Sequence, residues 1–132
     1  MGATVRFSVS IKGVIFVEPG QCVLALNDRD EWELPGGRIE LGETPEQCLA
    51  REISEELGLE VAVSRLLDCY LFEVIPDAYV FIVTYGCVLR SEYRPRLSEE
   101  HLRIQVFTTR ELPHNLPTGY KNSILAWGST PN

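Results

Sequence analysis

A chain of 132 residues, 45% of them apolar, has the size and composition of one globular domain with a core of its own. Its formal charge of −7 argues against binding a nucleic-acid polymer, which needs a basic face, although a small anion can still bind where a metal brings positive charge. No apolar run approaches the length of a membrane span and Met1 to Arg6 has no signal-peptide shape, so a cytoplasmic protein without membrane contact is expected.

Taken in order, Val5 to Val17 is rich in β-branched residues and partly alternating. It predicts a strand, with Gly13 marking a bulge or a close approach. Glu18-Pro19-Gly20 predicts a turn, and Gln21 to Leu26 a second strand whose VLAL run suits burial on both faces. Asn27 to Glu31 is a polar loop, and Trp32 to Leu34 leads into Pro35-Gly36-Gly37. Proline sets that turn, and the glycines remove side chains where backbone must come close to something. A plain turn has the same composition. Arg38 stands where it can reach a phosphate or form a surface salt bridge. Ile39 and Leu41 are expected to face inward.

A helix follows. Thr44 suits the N-cap, Pro45 the first helical position, Gln47 completes a capping box and Gly58 supplies the stop. Leu49, Ala50, Ile53 and Leu57 share one face, expected to pack on a sheet. Glu52, Glu55 and Glu56 share another. Carboxylates at these spacings repel by a few tenths of a kcal/mol per pair, and two of them lie in the last turn, where the helix dipole disfavours anions. Local stability therefore opposes the arrangement. A hard cation held by carboxylate oxygens reverses the sign of that cost. The competing reading is a solvated acidic face.

Beyond the helix, Glu60 to Val74 is β-rich, with Tyr70, Phe72 and Val74 on one side and Leu71 and Glu73 on the other. Pro76-Asp77 turns it, and Ala78 to Leu89 returns, which predicts a long hairpin. Ser91 to Leu102 is polar and carries Glu99, Glu100 and His101. Ile104 to Thr108 predicts a short strand, and Gly119 to Trp127 a final amphipathic helix with Ile124, Leu125 and Trp127 inward. Cys22, Cys48, Cys69 and Cys87 form no CxxC pair and sit among apolar residues, so buried reduced thiols are expected rather than a zinc or disulfide framework.

The spacing after Gly37 is specific. Glu43 follows after five residues and Arg51-Glu52-Ile53 after seven more, then Ser54, Glu55-Glu56, Leu57 and Gly58-Leu59. This resembles the Nudix box of the MutT-like Nudix hydrolase family, G-x5-E-x7-R-E-U-x-E-E-x-G-U with U apolar, and every fixed position is filled. The Trp32-Glu33-Leu34-Pro35 lead-in and Leu116-Pro117 extend the likeness loosely. The resemblance implies an α/β fold, the Nudix-type α/β/α sandwich with a mixed central β-sheet, as a single domain over residues 1–132.

The resemblance also implies a chemistry: hydrolysis of a phosphoanhydride in a nucleoside diphosphate linked to another moiety. A nucleoside triphosphate, ADP-ribose or a dinucleoside polyphosphate would qualify. Mg²⁺ or Mn²⁺ would neutralise charge and activate water. By position, the Gly36 carbonyl, Glu52, Glu55 and Glu56 are the metal ligands, and Glu52 is a ligand, the base, or both. Glu100 is the other candidate base, with Glu99 as its substitute; an exposed turn reads equally well there. Arg38 and Arg51 are the candidate substrate-binding cations, although a structural pair between Arg51 and Glu43 is the preferred reading for Arg51. His101 could contact a phosphate or base, but its setting favours a surface residue. Tyr70, Phe72, Tyr79 and Tyr93 could stack a nucleobase, and strand packing is the stronger alternative for each. A homodimer is compatible with the family. Two other readings stay open: a nucleotide-sensing domain of the same fold, disfavoured by the intact acidic set, and a diphosphate isomerase, for which the extra histidines and cysteine are not seen.

Overall fold

The structure is a computed structural model that describes residues 4–96, 101 and 103–128. Its centre is β1 (Ser8–Glu18), the strand predicted over Val5 to Val17. One edge of β1 pairs in parallel with β6 (Ala78–Leu89), from Ser8 opposite Val80 to Phe16 opposite Val88. The other edge is shared. Near its start β1 pairs antiparallel with β4 (Gly36–Arg38), and near its end with β2 (Gln21–Leu26). Between the two partners the sheet forks, and the Gly13 N–H donates to the Pro35 carbonyl at 2.9 Å across the fork.

The remaining strands are β3 (Trp32–Glu33), β5 (Val61–Ile75) and β7 (Arg103–Thr108). They complete one mixed sheet in the order β3-β2-β1-β6-β5, with β4 on β1 and β7 on β2. The predicted hairpin is β5 and β6, turned at Pro76-Asp77 with Asp77 at φ 65°. The VLAL strand is buried on both faces, as its composition implies: Cys22 to Ala25 are all inaccessible.

A helix covers each face, which makes the α/β/α sandwich. Helix α1 (Pro45–Leu57) carries the full capping box, and its C-terminal Gly58 adopts φ 68°. Leu49, Ile53 and Leu57 pack on Ile11, Ile15 and Cys87. Each such fully buried aliphatic side chain contributes about 1.5–3 kcal/mol. Gly13 shows the close approach rather than a bulge. A Cβ there would lie 2.9 Å from Cys87 Sγ and 3.2 Å from Ile53 Cδ1, so glycine lets α1 settle onto β1. On the opposite face, α2 (Thr118–Gly128) places Tyr120 and Ile124 against Val14, Leu24, Leu34 and Ile82.

Four inward or buried placements expected from sequence are corrected. Leu41 lies fully exposed in the loop before α1, because the chain leaves β4 and must reach the Thr44 cap. Leu125 is 45% exposed, since Tyr120, Ser123 and Ile124 form the buried stripe of α2. Ala50 is only partly buried on α1. Cys69 is exposed on edge strand β5, whereas Cys22, Cys48 and Cys87 are buried; all four thiols are free. No helix among the described residues is long and apolar enough to cross a membrane.

Candidate active site

The Pro35-Gly36-Gly37 turn becomes β4 because it pairs with β1, setting Gly36 opposite Lys12 and Gly37 opposite Ile11. Gly36 takes φ 142°, and a Cβ on it would collide with the Ile11 carbonyl. A Cβ on Gly37 would overlap the Glu52 carboxyl group. The two glycines thus let the β4 backbone pass beneath the acidic face of α1. Glu52 and Glu56 meet the turn there, with the Gly36 N–H 3.5 Å from Glu56 Oε2. Together with Ser10, Lys12, Glu33, Arg38 and His101 they line a cleft of about 500 Å³.

The predicted acidic set is divided. Glu56 is 6% exposed. Burial pushes its carboxyl up to about 7, against the pull of Lys12 and His101. Glu55 points outward at 61% exposure and meets Arg51 Nη1 at 3.2 Å. The Arg51 guanidinium is heavily committed: Nε and Nη2 fork onto Glu43, the latter at 2.9 Å, and Nη1 reaches Glu52 at 2.9 Å. These bonds hold the Glu43 carboxyl down at about 2 and raise the guanidinium further still. Glu43 in turn accepts from the Glu40 N–H, fixing the loop. Arg51 therefore acts here as a brace for the carboxylates, the preferred reading of that pair. Arg51→Lys loses the planar fork. It is expected to lower unfolding stability by about 1 kcal/mol in urea titration.

Among the described residues no three carboxylate, imidazole or thiol groups converge closely enough to hold an ion, because Arg51 draws Glu52 and Glu55 to one side. The donor set is nevertheless all hard oxygen, which suits Mg²⁺ or Mn²⁺ and not a soft metal. Glu99 and Glu100 lie outside the described residues.

Sequence reasoning missed a second polar cluster on the other wall of the cleft. His101, predicted at the surface, is buried and its Nε2 sits 2.8 Å from Glu33 Oε1. Asn27 Nδ2 donates to the other Glu33 oxygen at 3.2 Å, and Asn27 Oδ1 accepts the N–H groups of Arg29 and Glu31. Burial alone would raise the Glu33 carboxyl, but His101, Lys12 and Asn27 outweigh it and hold it at about 2. The Glu33 bond raises His101 against burial. Burial would lower Lys12, yet Tyr120, Glu33, Glu56 and Glu52 together raise it. The signal available in the sequence was a lysine in the middle of an apolar strand.

The Glu33–His101 pair fixes a pH dependence. Glu33 falls from 4.5 to about 2, so its contribution is present above 4.5 and lost as pH falls toward 2. His101 is raised above 6.5, so its contribution is present below 6.5 and lost as pH rises through the raised value. Urea unfolding of wild type and Glu33→Gln should therefore differ most between pH 4.5 and 6.5, with the gap narrowing on both sides. The maximum is expected to be about 2 kcal/mol.

Of the aromatics proposed for base stacking, Phe72 and Tyr79 line an adjoining cavity of about 360 Å³ together with Ile82 and Tyr120. Tyr93 packs instead against the α1 core, and Tyr70 tucks its hydroxyl beside Gly119 of α2.

The family model described as the NUDIX domain matches residues 6–127. The chain belongs to the NUDIX family. Its fold superposes on the solved MutT protein of Methanosarcina mazei Go1 with a TM-score of 0.80 at 19% identity, covering 96% of each chain. An 8-oxo-dGTP diphosphatase of Proteus vulgaris is 41% identical over 69 residues, 52% of this NUDIX chain and 58% of that protein. An oxidized purine nucleoside triphosphate hydrolase of Danio rerio is 32% identical over 104 residues, 76% of this chain and 66% of that one. The chain thus spans little more than half the length of the Proteus relative. NUDIX hydrolases generally need a divalent metal.

Proposed function

We propose that residues 1–132 act as one catalytic NUDIX domain, a metal-dependent, cytoplasmic pyrophosphohydrolase that cleaves a phosphoanhydride in a nucleoside diphosphate linked to another group. The observation that carries this reading is the meeting of the Gly36-Gly37 turn with Glu52 and Glu56 in one cleft. The names of its relatives point the same way, toward small nucleotides carrying a diphosphate. They differ in what they cleave: a solved UDP-X diphosphatase is 25% identical to this chain and covers 96% of it. The substrate class is therefore proposed no more finely than that shared linkage.

Glu52, Glu55, Glu56 and the Gly36 carbonyl would hold Mg²⁺ or Mn²⁺, which supplies charge neutralisation at the diphosphate and a more acidic water. The chain's own residues do the rest. Arg51 and Glu43 brace the acidic face, as groups behind metal ligands do. Arg38, exposed at the cleft rim, is proposed to meet a phosphate, with Arg51 as a further contact if a substrate loosens its carboxylates. Glu52 or Glu100 is proposed to take the proton of the attacking water. A screen of nucleoside triphosphates, ADP-ribose and dinucleoside polyphosphates, scored for phosphate and mononucleotide release with Mg²⁺ and then Mn²⁺, tests the reading. Metal-dependent cleavage of at least one is expected. No cleavage with either ion would favour the non-catalytic, nucleotide-sensing alternative.

A further inference from the structure

Two cavities meet at one buried cation. The larger cleft is bounded by Glu52 and Glu56, and the smaller by Phe72 and Tyr120. Lys12 lines both and is 8% exposed. Among the described residues its ammonium makes no hydrogen bond and no ion pair. Its Nζ lies 6.0 Å from the centroid of the Tyr120 ring. The carboxylates that act on it do so from a distance, and each bonds elsewhere: Glu33 to His101, Glu52 to Arg51, Glu56 to the Gly36 N–H. The surrounding charges keep the ammonium protonated despite its burial, yet among the described residues no acceptor bonds its N–H groups, which leaves those donors to a bound anion.

The chemistry of the anion follows from the walls. Glu33, Glu52 and Glu56 would repel a simple carboxylate entering the cleft. An oxyanion arriving with a divalent cation brings its own neutralisation, and a phosphate chain does so. The linings also fit a nucleotide: Glu52 and Glu56 line only the larger cleft, Phe72, Tyr79 and Tyr120 only the smaller, and Lys12 lines both, with Glu33, Arg29 and Arg38 beside it. We propose that Lys12 is a substrate-binding residue that holds a phosphate of the bound nucleotide at the junction of the two cavities. The identity of that substrate rests on the hydrolase reading; the anion site does not.

The test needs no turnover. Magnesium pyrophosphate is titrated calorimetrically into wild type, Lys12→Met and Lys12→Arg, and the melting temperature of each is measured. Lys12→Met should bind at least about ten-fold more weakly, and Lys12→Arg within about three-fold of wild type. Lys12→Met is expected to melt lower than wild type, because Tyr120, Glu33, Glu56 and Glu52 together favour the ammonium, so affinities are compared at a temperature where each variant is folded. Equal affinities, or no binding by wild type, overturn the proposal. A Lys12→Arg protein that binds as weakly as Lys12→Met overturns it too, because it keeps the charge that the anion is proposed to meet. If no nucleotide is cleaved but Lys12→Met still loses pyrophosphate, the anion site stands and the hydrolase reading falls. If nucleotides are cleaved and Lys12→Met binds as wild type does, Lys12 alone is refuted.

Discussion

Glu56→Gln is expected to lower turnover on the order of a thousand-fold, at an unchanged or higher melting temperature. The amide keeps the shape of the carboxylate and can still accept from the Gly36 N–H. It cannot carry the negative charge that a cation needs. Glu56 is buried at 6% exposure, so its charge costs the fold rather than supporting it. Activity and stability should therefore move independently, which separates a functional role from a structural one. Glu55→Gln should also lose most of its turnover, although Glu55 is the more exposed of the two. Activity assays and thermal melts on purified variants read both quantities. Near-normal turnover in Glu56→Gln would count heavily against the proposed role of α1.

Gly36→Ala is expected to destabilise the fold by at least about 3 kcal/mol, a fall in melting temperature on the order of 10 °C. The residue combines φ 142° with a Cβ position that collides with the Ile11 carbonyl. Both partners are backbone, and β1 lies at the centre of the sheet, so no flexible side chain can yield. Gly37→Ala meets a different neighbour, the Glu52 carboxyl group, which can rotate away. Its stability cost should be smaller, while its turnover should fall because Glu52 is displaced. Urea unfolding and activity measured on both variants distinguish the cases. A Gly36→Ala protein as stable as wild type would show that the turn is held less tightly than its contacts require.

The legible parts of this chain were local ones. Thr44, Gln47 and Gly58 announce α1 because capping is decided within a few residues, and Pro76-Asp77 announces the hairpin in the same way. The acidic face of α1 was legible because its spacing is a property of the helix itself. The parallel pairing of β1 with β6 joins strands more than sixty residues apart, as in Ser8 with Val80, and no local signal encodes it. The Lys12–Glu33–His101 wall was missed for that reason. Glu-Glu-His looks like a surface turn until Glu33, far away in sequence, is brought 2.8 Å from His101. Leu41 and Leu125 were misplaced by the opposite error, in which an apolar residue was assigned a buried face that its element does not offer.

The central claim, that α1 and the glycine turn hold a divalent cation between them, is tested most directly by titrating Mn²⁺ into isotope-labelled protein and following amide signals by NMR. Broadening is expected first at Gly36, Gly37, Glu52, Glu55 and Glu56, with Val88 at the far end of β6 left sharp, and it should weaken sharply in Glu56→Gln. Broadening centred elsewhere, or an identical pattern in that variant, would contradict the account.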